Sequence, residues 1–292
     1  MRLSTSTCIH EHILWDTANM FYSCEDSIRS IARSGYKIMD MNFASYSLGT
    51  LPMTRDNWEE FVKNQKELVD SLGLEVSQAH AHFYGWNGLT AEQKEWNEEL
   101  VRRSIIGAGI IGAKWLVIHP GTVSDGTYYS YKKSLEENLK YYRALIPLAQ
   151  KHNVGIAIEN MIESKIGRRY ASSTEELMEL YDKLNDSTFG ICWDFGHANL
   201  CAADQCAALR DIGSALKALH VDDNRGEKDD HLLPYFGKIK WEPIMKTLKE
   251  INYKGDFTYE IHGFMNGLPD GLHDSCLRFT KEVGEFLLTL AK

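Results

Sequence analysis

Phe189-Gly190-Ile191-Cys192-Trp193-Asp194-Phe195-Gly196-His197-Ala198-Asn199 is the stretch on which the fold turns. Its first half is a short apolar run that reads as a buried strand. The two-residue alternation of a strand sets Ile191 and Trp193 on one face and Cys192 and Asp194 on the other. A carboxylate therefore closes the strand, Gly196 marks the turn that leaves it, and His197 can swing back over the same end. A carboxylate and an imidazole delivered together suit a divalent cation or a polar substrate. An Asp that merely caps a turn has the same spacing. What separates the two readings is whether other strands end alike.

They do. Downstream, residues 216–222 form a strand that turns Ala218 and His220 to one face, and residues 257–262 turn Thr258, Glu260 and His262 to one side. Between them a long loop, 223–240, carries Arg225, Asp229, Asp230 and His231. Upstream, residues 155–160 present Ala157 and Glu159 opposite Ile156 and Ile158, and residues 115–119 stop at His119 before Pro120-Gly121. Residues 75–83 place Gln78, His80 and His82 on one face, and 36–43 place Asp40 and Asn42 on theirs. A first strand at 3–8 leads into a loop with His10, His12 and Trp15. Helical patterns fall between these runs, at 25–33, 56–72, 91–106, 131–151, 174–184, 204–211, 241–251 and 274–290. Eight strands alternating with eight helical segments, at roughly 36 residues per unit, predict a (β/α)8 TIM barrel occupying 1–292 as one domain. An open doubly wound sheet is the competing architecture, and no Gly-x-Gly-x-x-Gly turn or P-loop supports it.

The composition, 43% hydrophobic and 25% charged, is an ordinary soluble one with ample material for a large core. A net charge of -9 and a pI near 5.7 argue against a nucleic-acid scaffold held by bulk electrostatics. The six cysteines form no Cys-x-x-Cys pair and read as reduced thiols, which with the polar N-terminus predicts a cytoplasmic protein. The most apolar run, 105–118, contains Lys114 and is too short to span a membrane; it reads as a helix end, a turn and the next strand. The sequence leaves a homo-oligomer open.

In a barrel of this kind the C-terminal strand ends form the active site. Those ends supply His80, His82, His119, Glu159, Asp194 with His197, His220, and Glu260 with His262. A lone histidine at a strand end is usually a hydrogen-bonded structural residue, so the case rests on convergence. Two glutamates, an aspartate and a histidine from consecutive strands repel without a cation. Mixed nitrogen and oxygen donors suit one divalent ion: Mn2+, Zn2+, Co2+ or Mg2+.

Ala157-Ile158-Glu159-Asn160, Cys192-Trp193-Asp194-Phe195-Gly196-His197, Leu219-His220-Val221-Asp222-Asp223-Asn224 and Tyr259-Glu260-Ile261 resemble the xylose isomerase-like TIM barrels, which include sugar phosphate isomerases and epimerases, ketose 3-epimerases, inosose dehydratases and endonuclease IV. The resemblance to the ketose 3-epimerases implies a metal held by Glu159, Asp194, His220 and Glu260, with Glu159 and Glu260 also acting as acid and base. It implies substrate contacts from His197 and Arg225, and His119, His82 and the aromatic Trp15 complete the expected substrate-binding set. The expected function is therefore metal-dependent isomerisation or epimerisation of a small ketose, aldose or related polyol. No phosphate-cradling motif is visible, which leans toward an unphosphorylated substrate. The resemblance to endonuclease IV implies instead three zinc ions on His80 or His82, His119, Glu159, Asp194, His197, His220, Asp229, His231 and Glu260, for cleavage of abasic DNA. The acidic balance weighs against that alternative.

Overall fold

In the computed structural model, eight parallel strands form a nearly closed barrel wrapped by helices. The structure describes the chain except residues 10–12, 15–18, 21, 127, 165–166, 263, 266 and 292. The barrel strands are β1 (Leu3–Ser6), β2 (Ile38–Asn42), β3 (Glu75–His80), β4 (Trp115–Ile118), β5 (Gly155–Glu159), β6 (Phe189–Asp194), β7 (Leu216–His220) and β8 (Phe257–Tyr259). From β1 to β7 each strand pairs with its sequence neighbours, and β1 also pairs with β8, which leaves β7 and β8 as the two edges. Just past the end of β7 a single bridge, Val221 to Tyr259 of β8, joins these edges; Val221 N donates to Thr258 O (2.9 Å) and Glu260 N to Val221 O (3.1 Å).

The outer ring consists of α1 (Cys24–Arg33), α2 (Trp58–Ser71), α3 (Ala91–Ile111), α4 (Tyr131–Lys151), α5 (Thr174–Leu184), α6 (Phe195–Leu200), α7 (Gln205–Ile212), α8 (Trp241–Glu250) and α9 (His273–Leu290). Local chemistry sets several of their starts. Ser23 with Asp26 and Thr90 with Gln93 make capping boxes, and Asp204 caps α7. α3 runs five residues beyond the expected 106 and stops where Gly112 takes a left-handed φ of 91°. The helix end, turn and strand read into 105–118 are all present.

The alternation read from the sequence holds inside the barrel. Ile156, Ile158, Ile191, Trp193, Leu219 and Val221 join the core between strands and helices, while Val117, Ala157, Cys192 and Ala218 form a separate apolar plug within. Three features differ from expectation. Strands β3 and β8 end at His80 and Tyr259, sooner than the 83 and 262 expected, so His82, Glu260 and His262 follow the strands rather than lie on them. Two-stranded hairpins decorate the loops, among them Ser124–Asp125 with Tyr128–Tyr129 after β4 and Glu163–Ser164 with Gly167–Arg168 after β5. Gly196 sits in the first turn of the unanticipated α6 rather than in an open turn.

Candidate metal centre at the mouth of the barrel

The organising stretch delivers both halves of its double reading. Asp194 ends β6 and caps α6, with Oδ1 accepting from His197 N at 2.6 Å. Its other oxygen, Oδ2, is buried without a hydrogen-bond partner. Asn160 clamps the backbone at this point, its Oδ1 accepting from Asp194 N (2.7 Å) and its Nδ2 donating to Asp194 O (2.9 Å). A cap therefore fixes one carboxylate oxygen and leaves the second aimed into the barrel mouth. Gly196 is required beside it, because a Cβ there would lie 2.1 Å from Asp222 Oδ2.

Register brings the partners level. Asp194 pairs with His220 across β6 and β7, and Cys192 with Glu159 across β6 and β5. His220 Nδ1 then faces three carboxylates at once: Glu159 Oε1 at 3.0 Å, Glu260 Oε2 at 3.2 Å and Asp194 Oδ2 at 3.7 Å. One ring nitrogen carries at most one hydrogen, so two of those oxygens gain nothing from it. Glu159 Oε2 lies 2.9 Å from His119 Nε2 and 3.5 Å from His80 Nε2, yet makes no aligned hydrogen bond. Glu159, Asp194, His220 and Glu260 each place a ligand atom within 4.8 Å of one another, and all four are buried.

Three further imidazoles share one orientation. His80 Nδ1 lies 2.8 Å from Ala81 O, His197 Nδ1 2.8 Å from Asn160 O, and His231 Nδ1 2.9 Å from Glu260 O. A carbonyl only accepts, so each Nδ1 carries a hydrogen and each Nε2 is the nitrogen turned inward. His197 Nε2 and His231 Nε2 both point at Asp229 Oδ2, each at 3.3 Å. His80 Nε2 points at His119 Nε2 (3.1 Å) and Glu159 Oε2. Imidazoles with Nδ1 tied to a backbone carbonyl and Nε2 turned inward have the orientation metal ligands require; without a cation, and despite burial, Asp194 and Asp229 raise His197, and Asp229 raises His231, well above the usual imidazole range. The donor set fits divalent cations at the four-residue group, and a second group gathers at Asp229, His231 and His197.

The electrostatics express the crowding. Burial pushes Asp194 up to about 7, opposed by His197 and reinforced by the Glu159, Asp229 and Glu260 carboxylates. Burial likewise works to raise Glu159, but His220 and His119 overcome it and hold that carboxyl well below its usual range. Glu260 is held low in the same way by His220 and His262 against the effect of burial. Burial lowers His119, whereas His220 is raised despite burial by its Cys192, Glu260 and Glu159 neighbours.

Glu159, Glu260, His80, Asp229, His231 and His262 border a cavity of about 190 Å3, whose wall also carries Asn42, Ser45, Phe83, Ile162 and Arg169; Asp194 and His220 are not on that wall. His119 and His197 reach it, as expected for substrate contacts. His82 does not: its Nε2 sits 2.7 Å from Asn97 Oδ1 on α3, and His80 occupies the place beside Glu159. Alternation would have kept both histidines on one face, but β3 ends between them. Arg225 is exposed on the β7–α8 loop and is absent from the described cavity wall, while Arg169, which follows the β5 hairpin, stands there. Trp15 lies outside the described residues. Asn160 and Arg169 were missed as site residues; the Asn beside Glu159 was a legible signal, whereas Arg169 had none.

The chain matches the Xylose isomerase-like TIM barrel family over residues 28–281. It is 27% identical over 240 residues to Uncharacterized protein MJ1311 of Methanocaldococcus jannaschii, covering 79% of each chain. It is 24% identical over 252 residues to Probable endonuclease 4 of Mesomycoplasma hyopneumoniae, covering 80% of this chain and 86% of the other. Among solved structures it superposes on a D-tagatose 3-epimerase-like protein with a TM-score of 0.78 at 22% identity, covering 100% and 98% of the two chains. A D-psicose 3-epimerase structure in the presence of D-fructose gives 0.76 at 13% identity, with 99% of each chain covered. By the match that spans most of its length and the barrel just described, the chain belongs to the xylose isomerase-like TIM barrel family.

Proposed function

We propose that this protein is a metal-dependent isomerase or epimerase of a small sugar, ketose or polyol. The observation that carries the reading is the placement of Glu159 and Glu260. They leave strands separated by two others, meet at the same His220 nitrogen, and border one small cavity. Its volume falls below the ~300–1,000 Å3 of drug-sized sites, which suits a ligand of monosaccharide size. A divalent cation bound at Glu159, Asp194, His220 and Glu260 would supply positive charge for the oxygen charge that develops as the carbon beside a carbonyl is deprotonated. Glu159 and Glu260, both held ionised by their imidazoles, are poised to take that proton. Delivering it to the former carbonyl carbon, while the hydroxyl proton passes to the former carbonyl oxygen, transposes the carbonyl; inversion at the original carbon needs the opposite carboxylate to enter the cycle protonated. His119 and His197 reach the cavity as hydrogen-bonding groups for hydroxyls, and Phe83 offers an apolar wall.

Glu159→Gln and Glu260→Gln are each expected to retain the fold, weaken metal binding modestly and nearly abolish turnover. In heavy water the wild-type product should carry deuterium at the reacting carbon. Full activity in both variants would leave the glutamates as ligands only.

The second reading, a zinc phosphodiesterase acting on abasic DNA, draws on the His197–Asp229–His231 group and on the position of His80 and His119 about Glu159. The net charge of -9 stands against a duplex-binding surface. Metal counting with an abasic-duplex nicking assay separates the two: three zinc ions with efficient, salt-sensitive nicking would displace the sugar reading.

A further inference from the structure

Arginine usage in this chain is uneven. Ten of the twelve arginines have a side-chain partner, such as Arg2 on Glu75, Arg33 on Asp274, Arg103 on Glu99, Arg143 on Lys183 O and Arg210 on Glu250. Partners are plentiful, since Asp and Glu number 41 against 32 Lys and Arg. Among the described residues the two exceptions are Arg169 and Arg225, and both stand on loops at the C-terminal mouth, after β5 and after β7. The contrast within one dipeptide is instructive. Arg168 is spoken for by Glu163, Glu176 and the ring of Tyr129, whereas Arg169 contributes only its backbone N–H, to Ile162 O. Those bonds pin the hairpin and so fix where Arg169 leaves it.

Arg169 is also the one arginine or lysine on the described cavity wall, which otherwise presents carboxylates, imidazoles, small polar groups and apolar surface. A guanidinium offers a planar fork of donors that matches a carboxylate or phosphate in two parallel bonds. A neutral sugar hydroxyl makes no comparable use of it.

We infer that the substrate carries an anionic group, a carboxylate or a phosphate ester, and that Arg169 receives it at the rim of the cavity while the reacting carbon sits deeper, toward Glu159 and Glu260. The inference rests on the sugar-isomerase reading for the identity of the rest of the molecule. It replaces the sequence-level leaning toward an unphosphorylated substrate. Arg169 is thereby a specificity residue.

The test is calorimetric titration of the Mn2+-loaded protein with fructose, fructose 6-phosphate, glucose, glucose 6-phosphate and glucuronate, in the wild type, Arg169→Gln and Arg169→Lys. The anionic members should bind at least tenfold more tightly than their neutral parents. That ratio should fall below threefold in Arg169→Gln, recover in part in Arg169→Lys, and shrink as salt is raised. Whichever of glucuronate and the phosphates shows the larger ratio identifies the anion. Equal affinity for charged and neutral members, a ratio untouched in Arg169→Gln, or no binding by any member overturns the inference. Incorporation of deuterium into neutral ketoses by the wild type is scored separately, so the isomerase reading can survive the loss of this one, or fall while an Arg169-dependent preference for anions remains.

Discussion

Asp223 is the residue whose replacement tests most directly how the loop bearing Asp229 and His231 is held. Its side chain is fully buried. Oδ1 accepts from Asn224 N (2.9 Å) and Ile239 N (3.1 Å), and Oδ2 accepts from Tyr235 N (3.1 Å) and Trp241 Nε1 (3.0 Å). One carboxylate therefore ties both ends of the loop to the start of α8. Asp223→Asn preserves the shape but replaces one acceptor oxygen with a donor NH2. Two N–H groups lose their acceptor whichever way the amide turns: those of Asn224 and Ile239 in one orientation, the part-buried Tyr235 N–H and the Trp241 indole in the other. Each such orphan costs about 1–3 kcal/mol, so the loss is about 2–6 kcal/mol. Against a total stability of about 5–15 kcal/mol, that is a large fraction. Urea unfolding, with the slope checked to be unchanged, reads the number directly. A loss under about 1 kcal/mol in Asp223→Asn would show that this carboxylate does not anchor the loop.

Two further outcomes follow from the same geometry. Because the carboxylates at the mouth lack enough donors, a divalent cation should stabilise the fold by about 2.7 kcal/mol at a free concentration a hundred times its Kd. Thermal melting with Mn2+, Co2+ or Zn2+ should rise accordingly, and the rise should shrink in Glu159→Gln; unchanged melting with all three ions would remove the metal reading. Away from the site, the Arg33 side chain, with help from Ser30, holds the Asp274 carboxyl below its usual range and joins α1 to α9. A depressed folded-state pKa stabilises above the unfolded value of ~3.9 and is lost as pH falls through the folded value. The difference in unfolding free energy between wild type and Asp274→Asn should therefore be under about 1 kcal/mol, present at neutral pH, and disappear in acid; a difference that grows on acidification would contradict the assignment.

The eight-strand alternation, the faces of those strands and the identity of the groups at their ends were legible in the sequence. Period-two patterning is a local property of an extended chain, so Glu159, Asp194 and His220 were legible as inward, strand-terminal residues from β5, β6 and β7 alone. It also held two readings of Asp194, cap and ligand, which the structure shows to be compatible because a carboxylate has two oxygens. Where the strands stop, packing between distant segments takes over. Alternation predicted His82 beside His80, but β3 ends at His80, and α3 supplies Asn97 to take the second ring elsewhere. The orientation of His80, His197 and His231 depends on carbonyls belonging to Ala81, Asn160 and Glu260, and for the last two those carbonyls lie on other elements, at no fixed sequence distance. Arg169 reaches the cavity wall and Arg225 does not because a hairpin pinned through Arg168 to Glu176 places the first, and hydrogen bonds between residues far apart in the chain leave no periodic trace in the sequence.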